Sequence, residues 1–221
     1  MTVADPTLRV ERTLFREGAA LVIGCDEVGR GAIAGPVAVG LGVFLPDVRR
    51  MPSGLRDSKL LSEQRREELH PRVLGWAPHS AVGLADNAEV DHLGIVPGLG
   101  LAATRALEAL VTQGVPVEAA VVLLDGSHDW LTPALAGWPE SSRPHVITRV
   151  KADRDCATVA AASVLAKVHR DRLMIEADAV HPGYEWTSNK GYASATHYAA
   201  IDRIGASALH RWSWLRQPAL F

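Results

Sequence analysis

The run Ala19-Ala20-Leu21-Val22-Ile23-Gly24-Cys25 carries no charge and then meets two carboxylates at once, Asp26 and Glu27, ahead of the glycine-rich stretch Gly29-Arg30-Gly31. A short apolar run bounded by turn residues reads as a buried strand leading into a loop. Asp26 and Glu27 are therefore expected at a strand end. Adjacent strand residues point to opposite faces, so the two acids reach one site only if the strand ends or twists there, which Gly29 would permit.

The rest of the chain supplies partners for such a strand. Residues 37–45, 79–85, 119–124 and 146–150 read as four further strands. Residues 62–69 read as a short helix that Ser62 can cap, and 88–111 as helical with Pro97 starting or kinking it. Residues 156–177 present an apolar face at Val159, Ala162, Ala166 and Leu173, and 194–204 form a helix that Gly205 stops. Strands alternating with helices predict an α/β domain with a mixed sheet. With 221 residues, 48% of them hydrophobic, the chain can bury one substantial core, and a single domain over 1–221 is expected. No apolar run looks long enough to cross a bilayer, and residues 1–20 mix Asp, Arg and Glu, so a cytoplasmic protein without a membrane partner is expected. Cys25 and Cys156 are too few for a disulfide framework or a zinc site of the CxxC type, and both are expected reduced and buried.

The net charge of −2 argues against a surface that grips nucleic acid everywhere, but it hides an asymmetry. Residues 141–221 hold 11 Lys and Arg against 7 Asp and Glu, a net of +4, which leaves −6 for residues 1–140. That division suits a local contact with a polyanion, with part of the acidic charge reserved for cations; scattered solvated charge explains it equally well. Asp26, Glu27 and Asp125 each follow an apolar strand, and Asp153 lies between a strand and the long helix. Carboxylates collected at strand ends would repel one another, so as a cluster they imply hard cations, Mg²⁺ or Mn²⁺. Taken singly, Asp125 before Gly126 reads as a turn and Asp153 or Asp155 as a helix cap.

Asp26-Glu27-Val28-Gly29-Arg30-Gly31 followed by Gly35-Pro36-Val37 resembles the signature that opens ribonucleases HII. Asp57-Ser58-Lys59, Asp125-Gly126, Lys151-Ala152-Asp153, the stretch 161–168 with Arg170-Asp171-Arg172, and Lys190-Gly191-Tyr192 follow in the family's order, so the resemblance covers 23–212. It implies a ribonuclease H-like fold: a five-stranded mixed sheet flanked by helices, with additional C-terminal helices over about 178–221. It also implies an endoribonuclease that cuts the RNA strand of RNA/DNA hybrids and incises ribonucleotide-containing duplex DNA 5′ of the ribonucleotide, leaving a 3′-hydroxyl and a 5′-phosphate. Asp26, Glu27, Asp125 and Asp153 are its implied metal ligands for two divalent ions, one activating water and one stabilising the leaving oxygen.

The same resemblance makes Gly29, Arg30 and Gly31 the sensor of the ribose 2′-hydroxyl, read through backbone that only glycine lets approach so closely. It sets Tyr192 against the sugar of the following deoxynucleotide. Lys59, Lys151, Lys167, Arg170 and Lys190 are the expected phosphate contacts, with Lys167 also able to pair with Asp171 one turn on. The chain departs from the family at Gly94, where an asparagine generally stands. Gln217-Pro218-Ala219-Leu220-Phe221 is similar to the bacterial motif that inserts Leu and Phe into a pocket of the replication sliding clamp, with Pro218 in place of the usual leucine. A monomer is expected. The related ribonucleases HIII carry an additional N-terminal domain, for which the two dozen residues before Asp26 are too few. Two alternatives stay open: another nuclease or resolvase on this fold, which would not need a 2′-hydroxyl, and a nucleic-acid-binding module that has lost catalysis.

Overall fold

A computed structural model describes residues 5–215. Five strands form one sheet in the order β3-β2-β1-β4-β5: β1 (Leu21–Val28), β2 (Val37–Phe44), β3 (Ser80–Ala85), β4 (Ala120–Asp125) and β5 (His145–Arg149). β1 pairs antiparallel with β2, and β2 with β3, while β4 runs parallel to both β1 and β5. The sheet is mixed, as the sequence predicts.

Nine α-helices surround it among the described residues: α1 (Arg9–Arg16), α2 (Glu63–Trp76), α3 (Asn87–Leu93), α4 (Ile95–Thr112), α5 (Leu131–Ala134), α6 (Ala152–Asp155), α7 (Ala157–Val180), α8 (Trp186–Asn189) and α9 (Ala195–Ile204). Their starts obey local chemistry. Ser62 caps α2 by accepting from the Arg65 N–H, and Asp86 and Glu89 close a capping box on α3. The expected break at Pro97 falls earlier, at Gly94, whose φ of 85° ends α3 and begins α4, while Pro97 sits in the first turn of α4, where its missing N–H costs nothing. With ψ at 164°, Gly94 occupies a backbone region that is essentially reserved for glycine.

α7 covers one face of β1 and β2 and α4 the other face, on β2 and β3. Glycines set the first of these distances: a Cβ on Gly24 would stand 2.2 Å from the Thr158 carbonyl oxygen, and one on Gly40 2.4 Å from that of Ala162, so both strands meet the helix backbone directly. α4 corrects one expectation. It is long and apolar enough to cross a bilayer by length and composition, but Leu99, Ala103, Ala106, Leu107 and Leu110 bury its apolar face in the core with Ile23, Leu41 and Leu124. Cys25 and Cys156 are free and buried.

Candidate active site

β1 does not end at its carboxylates. It runs on to Val28, but its ladder with β4 stops at the pair Cys25–Leu124, so Asp26 and Glu27 extend beside the point where β4 gives out at Asp125. The expectation of a strand end is corrected to a ladder end. Asp26, on the α7 side, is buried; Glu27 is half-buried and its Oε1 lies 3.5 Å from Arg30 Nη1. Asp153 arrives from α6, and its N–H donates to Asp125 Oδ1 at 3.3 Å. Lys151, left-handed at φ 60°, turns the chain from β5 into that helix.

The charges act on one another. Burial and then Glu27 push the Asp26 carboxyl well above its ordinary value, against relief from Lys59 and a Ser163 hydrogen bond. Burial, with Asp125 adding to it, raises Glu27 while Arg30 opposes. Burial, then Asp125 and Asp57, push Asp153 up to about 6. Lys59 Nζ stands 3.5 Å from Asp153 Oδ2; burial works against its charge, yet Asp26, Asp57, Asp153 and Asp125 together hold its pKa up.

Among the described residues no three Asp, Glu, His or Cys side chains are drawn tightly enough to form a finished cation cage. The donor chemistry nevertheless suits a hard divalent cation. It consists of carboxylate oxygens from three segments, and one further acid, Asp57, holds a buried Oδ2 that has no hydrogen-bond partner beside Asp153. A cation would relieve the repulsion that these groups otherwise carry.

The glycine-rich segment is held from behind. The Gly29 N–H donates to the Tyr192 hydroxyl at 3.0 Å, which joins two of the residues expected to read the sugar. Two buried arginines grip the carbonyls of the loop: Arg170 binds those of Ala34, Pro36 and Lys190, and Arg211 those of Gly35 and Arg30. Arg170 also lies over the Tyr192 ring at 5.3 Å. The expectation of a phosphate contact at Arg170 is thereby corrected, because its donors are committed inside the protein and its side chain is buried. Lys167, half-buried, and Lys190, buried, are likewise committed to partners within the protein. Lys167 pairs with Asp171, itself 3.4 Å from Arg66, and Lys190 bonds the Thr187 carbonyl and, at 3.1 Å, Glu63. Lys59, Lys151, Arg30 and Gly31 remain exposed around the carboxylates.

Sequence reasoning missed Asp57, Ser58, Ser163 and Arg211. The tripeptide 57–59 carried a signal, though only its lysine drew a role. Nothing local marks Arg211. Residues 217–221, the tail motif, lie outside the described residues.

A central parallel pair whose outgoing ends collect acids, inside this strand order, fits a divalent-metal-dependent nuclease of the ribonuclease H fold. The family model described as Ribonuclease HII matches residues 23–217. A ribonuclease HII of Streptomyces griseus is 46% identical over 100% of this chain and 88% of its own length, and one of Thermus thermophilus 43% identical over 91% and 89%. Among solved structures, that of the PCNA:RNase HII complex from Archaeoglobus fulgidus gives a TM-score of 0.69 at 24% identity, covering 90% of this chain and 98% of its own. Bst-RNase HIII, solved with Mn²⁺, gives 0.68 at 24% identity over 85% and 64%. The chain belongs to the ribonuclease HII family and is an RNase H2-type endoribonuclease, acting on RNA/DNA hybrids.

Proposed function

We propose that this enzyme incises duplex DNA on the 5′ side of embedded ribonucleotides as well as the RNA strand of hybrids, leaving a 3′-hydroxyl and a 5′-phosphate, and so serves ribonucleotide excision and primer removal. The observation that carries the reading is the convergence of Asp26, Glu27, Asp125 and Asp153 beside the Gly29–Gly31 loop, whose amide is tied to Tyr192. These four carboxylates would hold two Mg²⁺ or Mn²⁺ ions. Such ions, when bound, supply an activated water and charge stabilisation for the leaving oxygen.

The protein's own part is placement. The backbone of Gly29–Gly31 approaches the ribose 2′-hydroxyl, which distinguishes RNA from DNA at a given site. Tyr192 packs on the next sugar while its hydroxyl holds Gly29. Lys59, Lys151 and Arg30 are exposed and would meet phosphates, Lys59 and Arg30 from their places beside Asp153 and Glu27, and Arg170, Lys167 and Lys190 serve by fixing the loop and helices behind them. We read the chain as a monomeric, cytoplasmic single domain whose residues from about 178 form a helical extension packed on it. Gln217–Phe221 would engage a sliding clamp, a reading that unchanged clamp affinity after deletion of Leu220 and Phe221 removes.

The test is a labelled DNA duplex holding one ribonucleotide, beside an all-DNA control and a long hybrid, with Mg²⁺, Mn²⁺ or chelator. Incision 5′ of the ribonucleotide, abolished by chelator and in Asp125→Asn, is the expected result; cleavage of the hybrid alone would overturn the junction specificity.

A further inference from the structure

Behind the carboxylates lies a buried chain of hydroxyls. Ser163, on α7, is buried beside Asp26: Asp26 pairs with Gly40 on β2, where a Cβ would meet the carbonyl of Ala162, and the Ser163 hydroxyl favours the charged form of Asp26. Its Oγ lies 2.8 Å from Ser58 Oγ and 3.3 Å from the Ser58 N–H, and Ser58 is buried too. When Asp26 is ionised, as a ligand must be, its oxygens only accept, so the Ser163 hydroxyl then donates to Asp26 and the Ser58 hydroxyl to Ser163.

Ser58 stands between two residues that reach the other side of the cluster. Asp57 Oδ1 accepts the Lys59 N–H at 2.9 Å and so closes the short turn 58–60, while its Oδ2 lies 3.6 Å from Arg154 Nε and its carboxyl is close enough to Asp153 to raise the pKa there. Lys59 Nζ meets Asp153 from the same turn. One tripeptide therefore touches Asp153 directly and Asp26 through Ser163, bridging groups that arrive on α6 and on β1.

We propose that Ser58 and Ser163 are positioning residues for the cation site, a clasp that fixes the rotamer of Asp26 and its separation from Asp153 before any cation arrives. The inference rests on the reading of Asp26 and Asp153 as ligands. Groups that orient ligands from behind typically change metal affinity by about 10–100-fold when removed, whereas a hydroxyl that only fills space does not.

The experiment is Mn²⁺ binding by calorimetry without substrate, on the full chain, for wild type, Asp26→Asn, Ser163→Ala, Ser58→Ala and the double serine variant, with melting temperatures as the folding control. Ser163→Ala is expected to weaken Mn²⁺ by about 10-fold, Ser58→Ala by less, and the double variant no more than Ser163→Ala alone, because Ser58 acts only through Ser163. In turnover assays the Mn²⁺ concentration for half-maximal rate should rise in parallel, while kcat at saturating Mn²⁺ recovers. Wild-type affinity in both folded serine variants together with lost affinity in Asp26→Asn overturns the clasp and leaves the site reading standing; additive serine effects overturn the relay. Wild-type affinity in Asp26→Asn overturns the site reading itself. Ser58→Ala keeps the question decidable should Ser163→Ala fail to fold.

Discussion

At the scale of single residues the site trades stability for function. Asp26 is buried next to Glu27 and Asp125, so its charged form is held in the fold at a cost, and its raised pKa expresses that cost. Asparagine has the same shape and no charge. Asp26→Asn is therefore expected to abolish turnover and yet raise stability in chelator, because it removes the buried charge. The divalent cation should stabilise wild type by about 2.7 kcal/mol when present at about 100 times its Kd, and the variant by far less. Urea unfolding with chelator and with Mg²⁺ reads both; equal cation effects on the two proteins would remove Asp26 from the ligand set. The four acids draw notice in the sequence because each follows an apolar run or opens a helix, but singly they read as turns and caps, and it is the family resemblance that groups them as ligands. Asp57 and Ser163 could not be singled out, since they act across separations of about a hundred residues, and their burial exists only once α7 lies on β1. Arg170 misled for a related reason: an arginine beside Asp171 in a chain that binds nucleic acid suggests phosphate, and only the packed loop shows three carbonyls consuming its donors.

At the scale of elements, the five strands were legible because their apolar runs are short and bounded by turn residues, and α7 because its small residues recur over several turns. Less legible was why Gly24 and Gly40 interrupt β1 and β2. Glycine weakens an isolated strand, and inside a sheet it marks a close backbone approach. Here the approach is that of α7, and it carries Ser163 to Asp26 and fixes the depth of the site. Gly24→Ala is expected to destabilise by about 1–3 kcal/mol, because its Cβ would stand 2.2 Å from a carbonyl oxygen that cannot retreat without moving the helix. Gly31→Ala, whose Cβ would meet nothing within 4 Å, is expected to leave the melting temperature unchanged. Thermal melting of the two variants in chelator compares them free of any cation effect. Equal melting temperatures would mean that the helix floats on the sheet.

At the scale of the whole molecule, the C-terminal helices join the core through a network of imidazoles whose protons can be assigned. The Trp186 Nε1–H donates to His197 Nε2 at 3.0 Å, so the His197 proton is on Nδ1, directed at the Tyr192 carbonyl 2.9 Å away. The Ser207 N–H donates to His210 Nδ1 at 2.9 Å, which leaves the His210 proton on Nε2, pointing at His197 Nε2 at 3.1 Å. A further proton on either ring must displace an N–H already bound there. Burial, then His197, accordingly pull His210 down from 6.5 to about 4, with His181 adding slightly. The sign follows from this depression. The neutral ring contributes its full stability above the unfolded value of about 6.5 and loses it as pH falls toward the folded value, by about 2 kcal/mol at pH of about 5. Asp26 and Asp153, raised in the fold, shift stability in the opposite direction over the same range, so the wild-type profile alone mixes the two. The difference between wild type and His210→Gln isolates the histidine: the variant should start less stable near neutrality and lose less on acidification. Because the network ends on Tyr192, which holds the Gly29 amide, acid should loosen the Gly29–Gly31 loop together with the C-terminal helices, raising KM for a ribonucleotide substrate before the core unfolds. An identical fall in urea midpoint for the two proteins would place the acid-sensitive contact elsewhere and separate the loop from the extension.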